Sequence, residues 1–271
     1  MIQIICFSKN RPLQLHGYLE SLFRAFDEPE RLRVKVLVKA DPEYATAYRQ
    51  VAATFGQVEI AHQIDFTRDL LGLLQDCPTT CFGCDDVVFV RPVRVQTILD
   101  ALGDEIFGFS LRLGHNVTRS MFSGPMSPPP HLAAAGDQLT WDLDRSHAHG
   151  DWGYAWELNG TVYPTDVVRR VVSEVGASTP NQLEAAGGGR WSSKTQRRLM
   201  RSLTSSCLVV PTVNVVQRDF ANPICGRHPL TPELLLACYE AGLRLDVEHF
   251  AERTYDCIHV SDFFLRRGVT D

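Results

Sequence analysis

Hydrophobic and polar residues alternate with two different spacings along about the first ninety residues. Continuous apolar runs indicate strands buried on both faces, and between them apolar residues recur every three or four positions, as on one face of a helix. This alternation is typical of parallel strands joined by crossover helices, so it predicts an α/β fold with a Rossmann-like sheet. The predicted strands are residues 2–7, 34–38, 58–60 and 80–84, and the predicted helices are 13–26, 42–55 and one capped by Thr67.

The second half is less regular, although several elements still stand out. Thr165 is expected to cap a helix through Val175, and Thr231-Pro232-Glu233 has the cap, the first-turn proline and the first-turn acid of another helix, which Gly242 ends. The triple glycine at 187–189 is expected to form a loop. Strand character is found at residues 141–143, 152–156 and 161–163.

Composition limits the classes of protein that the chain can represent. With 271 residues and 44% hydrophobic content it can bury a full core, and its net charge of -5 does not favour nucleic acid as a partner. Lys9 and Arg11 interrupt the first apolar run well short of a signal or membrane-spanning segment, so we expect a cytoplasmic protein. The eight scattered cysteines lack the paired spacing of a zinc site or a disulfide framework.

Two adjacent acids, Asp85 and Asp86, interrupt the apolar run that begins with the fourth strand. Charged groups in such a position need a partner, and hard cations such as Mg2+ or Mn2+ bind through carboxylates and substrate phosphates. The alternative is a tight turn in which both acids are merely solvated. No G-x-G-x-x-G follows the first strand, so a dinucleotide is not expected, but a ligand should still bind beyond the carboxyl ends of the strands.

The segment Ser8-Lys9-Asn10-Arg11-Pro12, followed by the helix at 13–26, resembles the opening of bacterial GT-A glycosyltransferases of a family 2-like type. In that family the fourth strand ends in a D-x-D type motif, whereas here Cys84 stands in place of the first acid. The resemblance implies a GT-A type mixed sheet flanked by helices, in a single domain with an acceptor-side subdomain. It assigns residues 1–110 to nucleotide-sugar binding and 111–271 to the acceptor and the C-terminal part.

The same resemblance implies a set of donor-binding residues. Asp86 would bind Mn2+ or Mg2+ directly, and Asp85 would support the ribose or a bound water. Ser8 and Arg11 would lie near the base or the diphosphate, Asp41 would accept from the base and Arg68 would reach a phosphate. Asp41 could equally begin a turn, Arg68 could be a solvated helix residue and Ser8 could cap a turn.

A histidine near the C-terminus often returns to the metal in GT-A enzymes. His259 lies in an apolar run, where its imidazole needs a partner, and His228 and His249 are weaker rivals. An ordinary buried histidine is the alternative for His259.

Glycosyl transfer needs a group that activates the acceptor hydroxyl or stabilises an oxocarbenium-like state, and carboxylates can do both. Asp151 and Glu184 are the two candidates in the second half, although either could belong to an ordinary turn or loop. Trp152, Tyr154 and Trp156 alternate as along a strand, so they could offer a stacking face for a sugar or simply pack in the core.

A basic cluster from Arg190 to Arg201 stands out in a chain that is acidic overall. One interpretation is a helix that makes peripheral contact with anionic lipid at the inner face of a membrane, or with a phosphate-bearing acceptor. The other is a solvated helix face.

We therefore expect transfer of a sugar from a nucleoside diphosphate donor, UDP-linked, to a carbohydrate or other hydroxyl-bearing acceptor with a divalent metal. A nucleotidyltransferase is one alternative, although it would ordinarily carry a glycine-rich phosphate loop after the first strand. A non-catalytic sugar-binding protein on the same fold is another.

Overall fold

The structure, a computed structural model, describes residues 1–74, 77–187, 191–225 and 230–268. The strands in these ranges are β1 (Ile2–Lys9), β2 (Leu32–Lys39), β3 (Glu59–His62), β4 (Thr79–Cys84), β5 (Val88–Phe89), β6 (Ile106–Ser110), β7 (Arg119–Ser120), β8 (Gly124–Pro125), β9 (Ala133–Ala135), β10 (Gln138–Asp142), β11 (Thr161–Pro164), β12 (Leu199–Leu203), β13 (Leu208–Pro211), β14 (Leu243–Leu245), β15 (His259–Val260) and β16 (Leu265–Arg267). The α-helices are α1 (Pro12–Ala25), α2 (Ala45–Thr54), α3 (Phe66–Leu73), α4 (Val95–Ala101), α5 (Thr165–Val175), α6 (Pro180–Gly187), α7 (Trp191–Thr195), α8 (Pro232–Glu240) and α9 (Val247–Ala251), with short 3-10 helices at Pro29–Arg31, Pro42–Tyr44 and Gly150–Gly153.

A nine-stranded mixed sheet forms the centre of the molecule, in the order β3-β2-β1-β4-β11-β6-β12-β10-β9. Strands β1 to β4 run parallel, whereas β11 is antiparallel to both of its neighbours, β4 and β6. A smaller sheet consists of β5, β13 and β15, and its strand β5 directly follows the acid pair in the chain. Strands from both sides of residue 110 pair in the large sheet, and the division of the chain at that residue stays a prediction.

The predicted alternation of strands and helices in the first half is confirmed, and with it the α/β class. Strand β1 is buried along almost its whole length, as its continuous apolar run requires. Helix α1 lies close against the sheet because Gly83 in β4 has no side chain. A Cβ there would collide with the ring of Tyr18. The absence of a side chain at Gly83 thus lets α1 pack beside the strand that ends at the acid pair.

Two predicted caps are wrong. Asp65 accepts from the backbone N–H of Arg68 and so caps α3, while the Thr67 hydroxyl donates to the carbonyl of Ala177. Thr165 is the first residue of α5 rather than its cap, and its hydroxyl bonds with that of Thr80. The predicted cap at Thr231 and the stop at Gly242, which has φ +83°, are confirmed.

Two predicted elements in the second half are also wrong. Residues 152–156 do not form a strand, because the chain turns through the 3-10 helix Gly150–Gly153 and continues irregularly. The basic segment is not one helix, since it divides between the short α7 and strand β12. Three of its cations pair with nearby acids: Lys194 with Glu174, Arg197 with Asp166 and Arg198 with Asp142.

Several residues named from the sequence lie outside the described residues: Gly188 and Gly189 of the triple glycine, Arg190 of the basic cluster, and His228. None of the helices within the described ranges combines the length and apolar character needed to cross a membrane.

Candidate active site

A cavity of about 710 Å³ opens at the carboxyl ends of β1, β2 and β4, where ligands bind in open α/β sheets. Seven of the nine predicted site residues line it: Ser8, Arg11, Asp85, Asp86, Asp151, Glu184 and His259. Residues from both halves of the sequence therefore meet there. Asp41 and Arg68 are not among the residues that line this cavity.

Asn10 shapes the turn that follows β1. It has φ +53°, a left-handed conformation that asparagine tolerates better than most residues. Its side chain makes two hydrogen bonds with Asp41. The amide nitrogen donates to Asp41 Oδ2 over 2.6 Å, and the amide oxygen accepts from the Asp41 backbone N–H over 2.9 Å. Asp41, predicted to accept from the base, is exposed and fixes this turn. The turn places Arg11 directly before Pro12, the first residue of α1.

Arg11 supplies the positive partner that the acid pair requires. Its side chain is only 7% exposed, and Nη1 donates to Asp85 Oδ1 over 3.1 Å and to Asp86 Oδ2 over 2.9 Å. Nη2 donates to the carbonyl of Asn214 over 2.7 Å. Burial by itself would lower the pKa of Arg11, but the charges of Asp85 and Asp86 outweigh burial and raise it, so the guanidinium stays charged.

The two acids have different surroundings. They occupy a turn between β4 and β5, not the interior of one continuous strand, and the Val87 N–H closes that turn on the carbonyl of Cys84. The Asp85 side chain is 4% exposed and that of Asp86 is 16% exposed. Asp86 is therefore the acid that a ligand in the cavity can reach, which is the order of roles that the resemblance implies.

Asp85 is held by several hydrogen bonds from the loop after β1. Its Oδ2 accepts from the Ser8 hydroxyl over 2.8 Å and from the Lys9 backbone N–H over 3.1 Å. The Ser8 hydroxyl also lies 2.6 Å from that of Tyr48. Burial raises the pKa of Asp85 to about 6, and Arg11 opposes the rise. Ser8, predicted to contact the nucleotide, thus has its hydroxyl bound to a carboxylate in the wall of the cavity.

The acid pair does not fit a divalent cation between its carboxylates. A Mg2+ ion would lie about 2.0–2.1 Å from each oxygen ligand. The guanidinium nitrogen of Arg11 already lies between Asp85 and Asp86, in hydrogen-bond contact with both. Across the described ranges, no group of three or more His, Cys, Asp or Glu side chains is arranged to hold a metal.

His259, the predicted second metal ligand, reaches the cavity from β15. Its Nδ1 lies 2.9 Å from the Thr212 hydroxyl, and the Phe122 ring packs edge-on against the imidazole. Burial, with a smaller contribution from the charge of Arg112, lowers the pKa of His259 to about 4. The imidazole is therefore neutral at neutral pH, and Thr212 is the polar partner of this partly buried histidine.

A second buried arginine, Arg112, lies among carboxylates elsewhere in the cavity. Its Nη1 lies 3.3 Å from Asp151 Oδ2, and its Nε lies 3.8 Å from Glu157 Oε2. The Ser120 hydroxyl donates to Asp151 Oδ1 over 3.1 Å, which fixes the predicted catalytic acid from a second side. Glu157 is 2% exposed, and its Oε1 has no partner among the described residues.

Glu184 lies beside this cluster, on α6. Its Oε1 accepts from the Leu158 N–H over 3.1 Å. Burial first, and then the charge of Glu157, raise the pKa of Glu184 to about 7, while Arg112 opposes the rise. A carboxyl group with a pKa near the working pH can both take up and release a proton, as a general base must.

The three aromatic residues predicted to form one stacking face do not lie together on one surface. Trp152 and Trp156 are almost fully buried, whereas Tyr154 is 39% exposed and lines the cavity. Arg68 is exposed on α3 and pairs with its neighbour Asp69. The first two aromatic rings therefore belong to the core, and Arg68 is not brought to the other predicted site residues.

Sequence reasoning did not identify Arg112 and Glu157. Arg112 lies between Leu111 and Leu113, and Glu157 lies between Trp156 and Leu158. Each is a single charge inside an apolar run, which is the signal that drew attention to Asp85 and Asp86. The same criterion, applied to the rest of the chain, would have found them.

No protein-family profile matches the chain. It is 23% identical over 300 residues to the bifunctional glycosyltransferase pgtA of Dictyostelium discoideum, with 97% of this chain and 39% of that protein covered. The chain therefore spans well under half of the length of this curated relative. The crystal structure of S. aureus TarS 1-349 in complex with UDP is similar over 76% of this chain and 59% of that one, with a TM-score of 0.50 and 11% identity. The resemblance to GT-A glycosyltransferases is confirmed for the fold.

Proposed function

We propose that the chain transfers a sugar from a nucleoside diphosphate sugar to an acceptor hydroxyl. One observation carries the proposal: the cavity joins Arg11, Asp85 and Asp86 at the carboxyl ends of the parallel strands to Glu184, whose pKa is about 7. Glycosyl transfer requires a place for the donor and a carboxylate that can accept a proton, and the cavity has room for the donor at the strand ends beside such a carboxylate. The sequence similarity to a glycosyltransferase over 97% of the chain supports the same reaction class.

In the proposed reaction, Glu184 acts as the general base. Its carboxylate takes the proton of the acceptor hydroxyl as the acceptor oxygen forms a bond with the anomeric carbon. The bond from that carbon to the diphosphate oxygen breaks, and the nucleoside diphosphate leaves with the electron pair. Asp151, fixed by Arg112 and Ser120, lies in the same cavity and can stabilise positive charge that develops on the sugar.

The finer parts of the proposal are the donor and the cation. We propose a UDP-linked donor, which is supported by the UDP complex of TarS on a similar fold. A Mn2+ or Mg2+ ion bound by Asp86 and His259, with the donor phosphates completing its ligands, stays a prediction from the resemblance. Peripheral membrane contact through Arg190 to Arg201 also stays a prediction, to be checked by sedimentation with anionic vesicles.

The test is a panel of UDP- and GDP-sugars incubated with the chain and a set of mono- and disaccharide acceptors. We expect release of nucleoside diphosphate together with a new glycoside, detected by mass spectrometry. Release of pyrophosphate from a nucleoside triphosphate would favour the nucleotidyltransferase instead. Binding of a nucleotide sugar by calorimetry, without turnover on any acceptor, would favour a non-catalytic protein. If no nucleotide or nucleotide sugar binds, the proposal is wrong.

A further inference from the structure

Three cations lie along the same rim of the cavity. Lys9 ends β1 and Lys39 ends β2, and the two lysines are direct partners in the parallel pairing of these strands. Arg11 follows two residues after Lys9, and all three line the cavity. The Lys9 ammonium donates to the carbonyl of Val216 over 3.0 Å, which leaves it further N–H donors. Lys39 is exposed.

Arg11 keeps donors free beyond those that bind the acid pair. A guanidinium has five N–H groups. Two bonds go to Asp85 and Asp86 and one to the carbonyl of Asn214. Nε is buried and has no partner among the described residues. Because Nε is too buried to reach a ligand, the second N–H of Nη2 is the donor that Arg11 keeps for an oxyanion while it neutralises the two acids.

The two ends of the cavity differ in charge. At the β1 and β2 end, the three cations Lys9, Arg11 and Lys39 line the cavity together with the two carboxylates of Asp85 and Asp86. Elsewhere in the cavity Arg112 lies beside the lining carboxylates Asp151 and Glu184, and Arg218 lines the wall together with Asp219. A diphosphate is attracted to the first end and repelled from the second.

We infer that the chain itself supplies the positive charge for the donor diphosphate, through Arg11, Lys9 and Lys39, so that a nucleoside diphosphate binds without a divalent cation. This inference rests on the proposed function and deepens it. In this arrangement Asp85 and Asp86 hold the guanidinium in place, and the ammonium groups of Lys9 and Lys39, with the second N–H of Arg11 Nη2, donate to the phosphate oxygens. Lysine and arginine are the usual protein donors to phosphate.

The test is isothermal titration of UDP and, separately, of GDP into the chain in EDTA and again in excess Mn2+. For the wild type we expect at least one nucleotide to bind in EDTA, with a Kd within about threefold of its value in Mn2+. Lys39→Gln should weaken binding in EDTA about fivefold, because it removes one phosphate contact at an exposed position. Arg24→Gln, which changes an exposed cation outside the cavity that pairs with Glu248, is the control and should leave the Kd unchanged.

Arg11→Gln gives the sharper result. Without the guanidinium the acid pair is free to take Mn2+, so we expect nucleotide binding to fall at least about tenfold in EDTA and to recover in Mn2+. Circular dichroism shows whether this variant folds, and if it does not, Lys39→Gln and Lys9→Gln decide. Binding by the wild type only in Mn2+ would overturn the inference and leave the proposed function standing. No binding of either nucleotide under any condition would reject both.

Discussion

Two buried arginines lie among carboxylates in one cavity, and they are arranged differently. Arg11 donates to both acids of its pair within 3.1 Å. Arg112 meets Asp151 at 3.3 Å and Glu157 at 3.8 Å, with Glu184 as a third acid nearby. Arg11 is therefore the more tightly held, and the Arg112 cluster has the larger excess of negative charge.

The difference shows how burial and the arrangement of charges together determine what a buried cluster can do. One arginine held within 3.1 Å of two carboxylates fixes all three groups in place, and Arg11 opposes the rise to about 6 that burial causes in the pKa of Asp85. In the second cluster burial first, and then the charge of Glu157, raise the pKa of Glu184 to about 7, while the single arginine shared among three carboxylates opposes the rise. The first cluster suits binding and the second suits proton transfer.

The largest effect that tests this contrast is expected from Glu184→Gln. It removes the proposed base while keeping size and shape, so turnover should fall by about 10²- to 10⁴-fold. Release of nucleoside diphosphate under saturating donor is the measurement. Nucleotide binding by calorimetry should stay as in the wild type, since Glu184 is not part of the Arg11 cluster. Turnover within a few-fold of the wild type would remove Glu184 from the chemistry.

Replacing each arginine tests how much its cluster contributes to the stability of the fold. Arg11→Met leaves Asp85 buried without its cation, so the free energy of unfolding should fall by about 3–5 kcal/mol. Arg112→Met should cost less, because Arg112 meets Asp151 and Glu157 at longer distances, 3.3 and 3.8 Å. Urea unfolding at pH 7 measures both. Asp85→Asn in the Arg11→Met background should recover part of the loss, and an equal cost for the two arginines would contradict the comparison.

The pH profile of turnover tests the origin of the raised pKa. Because the base must be ionised, activity should rise with pH through about 7, the pKa of Glu184. The charge of Glu157 helps to raise that pKa, so Glu157→Gln should move the rising limb toward lower pH. Glu174→Gln, at an exposed glutamate outside the cavity, is the control and should leave the profile in place. A rising limb that moves to higher pH in Glu157→Gln would show that the charge of Glu157 does not raise the pKa of Glu184.

The smallest effect is expected from Asp41→Ala. Asp41 is exposed and holds the Asn10 turn, so its loss should cost under about 1 kcal/mol of unfolding free energy and change the Kd of UDP by under about threefold. Urea unfolding and titration of UDP measure these quantities. A tenfold loss of affinity with unchanged stability would instead support the contact with the base that the resemblance implies.

The first half of the fold could be predicted because its signals are local. Apolar runs and helical periodicity within a few residues predict β1, α1, β2, α2 and β4, and Thr231 carries its own cap signal. The aromatic alternation at 152–156 misled because period two is only one requirement of a strand. Gly150 has φ +58°, and a Cβ on Gly153 would meet the backbone of Ser146, so the backbone turns tightly there.

The sequence predicts which residues belong to the site better than it predicts which residues they contact. A buried charge in an apolar run can be found from the sequence, as Asp85 and Asp86 were, since the cost of burial is local. The identity of its partner is set by the fold, and Arg11 is distant from the acid pair along the chain. The same holds for Glu184, whose raised pKa depends on Glu157 and on burial, neither of which its neighbouring residues reveal.

Strand β11 also has a consequence for the order in which the protein is made and folded. Cys81 in β4 pairs with Val162 in β11, so one edge of β4 cannot be completed until a much later part of the chain exists. Such non-local pairing is slow, and an unpaired strand edge can join with that of another chain. The residues around the acid pair therefore reach their final arrangement late in folding. A chain that is still incomplete exposes the unpaired edge of β4 next to the acid pair, where another chain can pair with it.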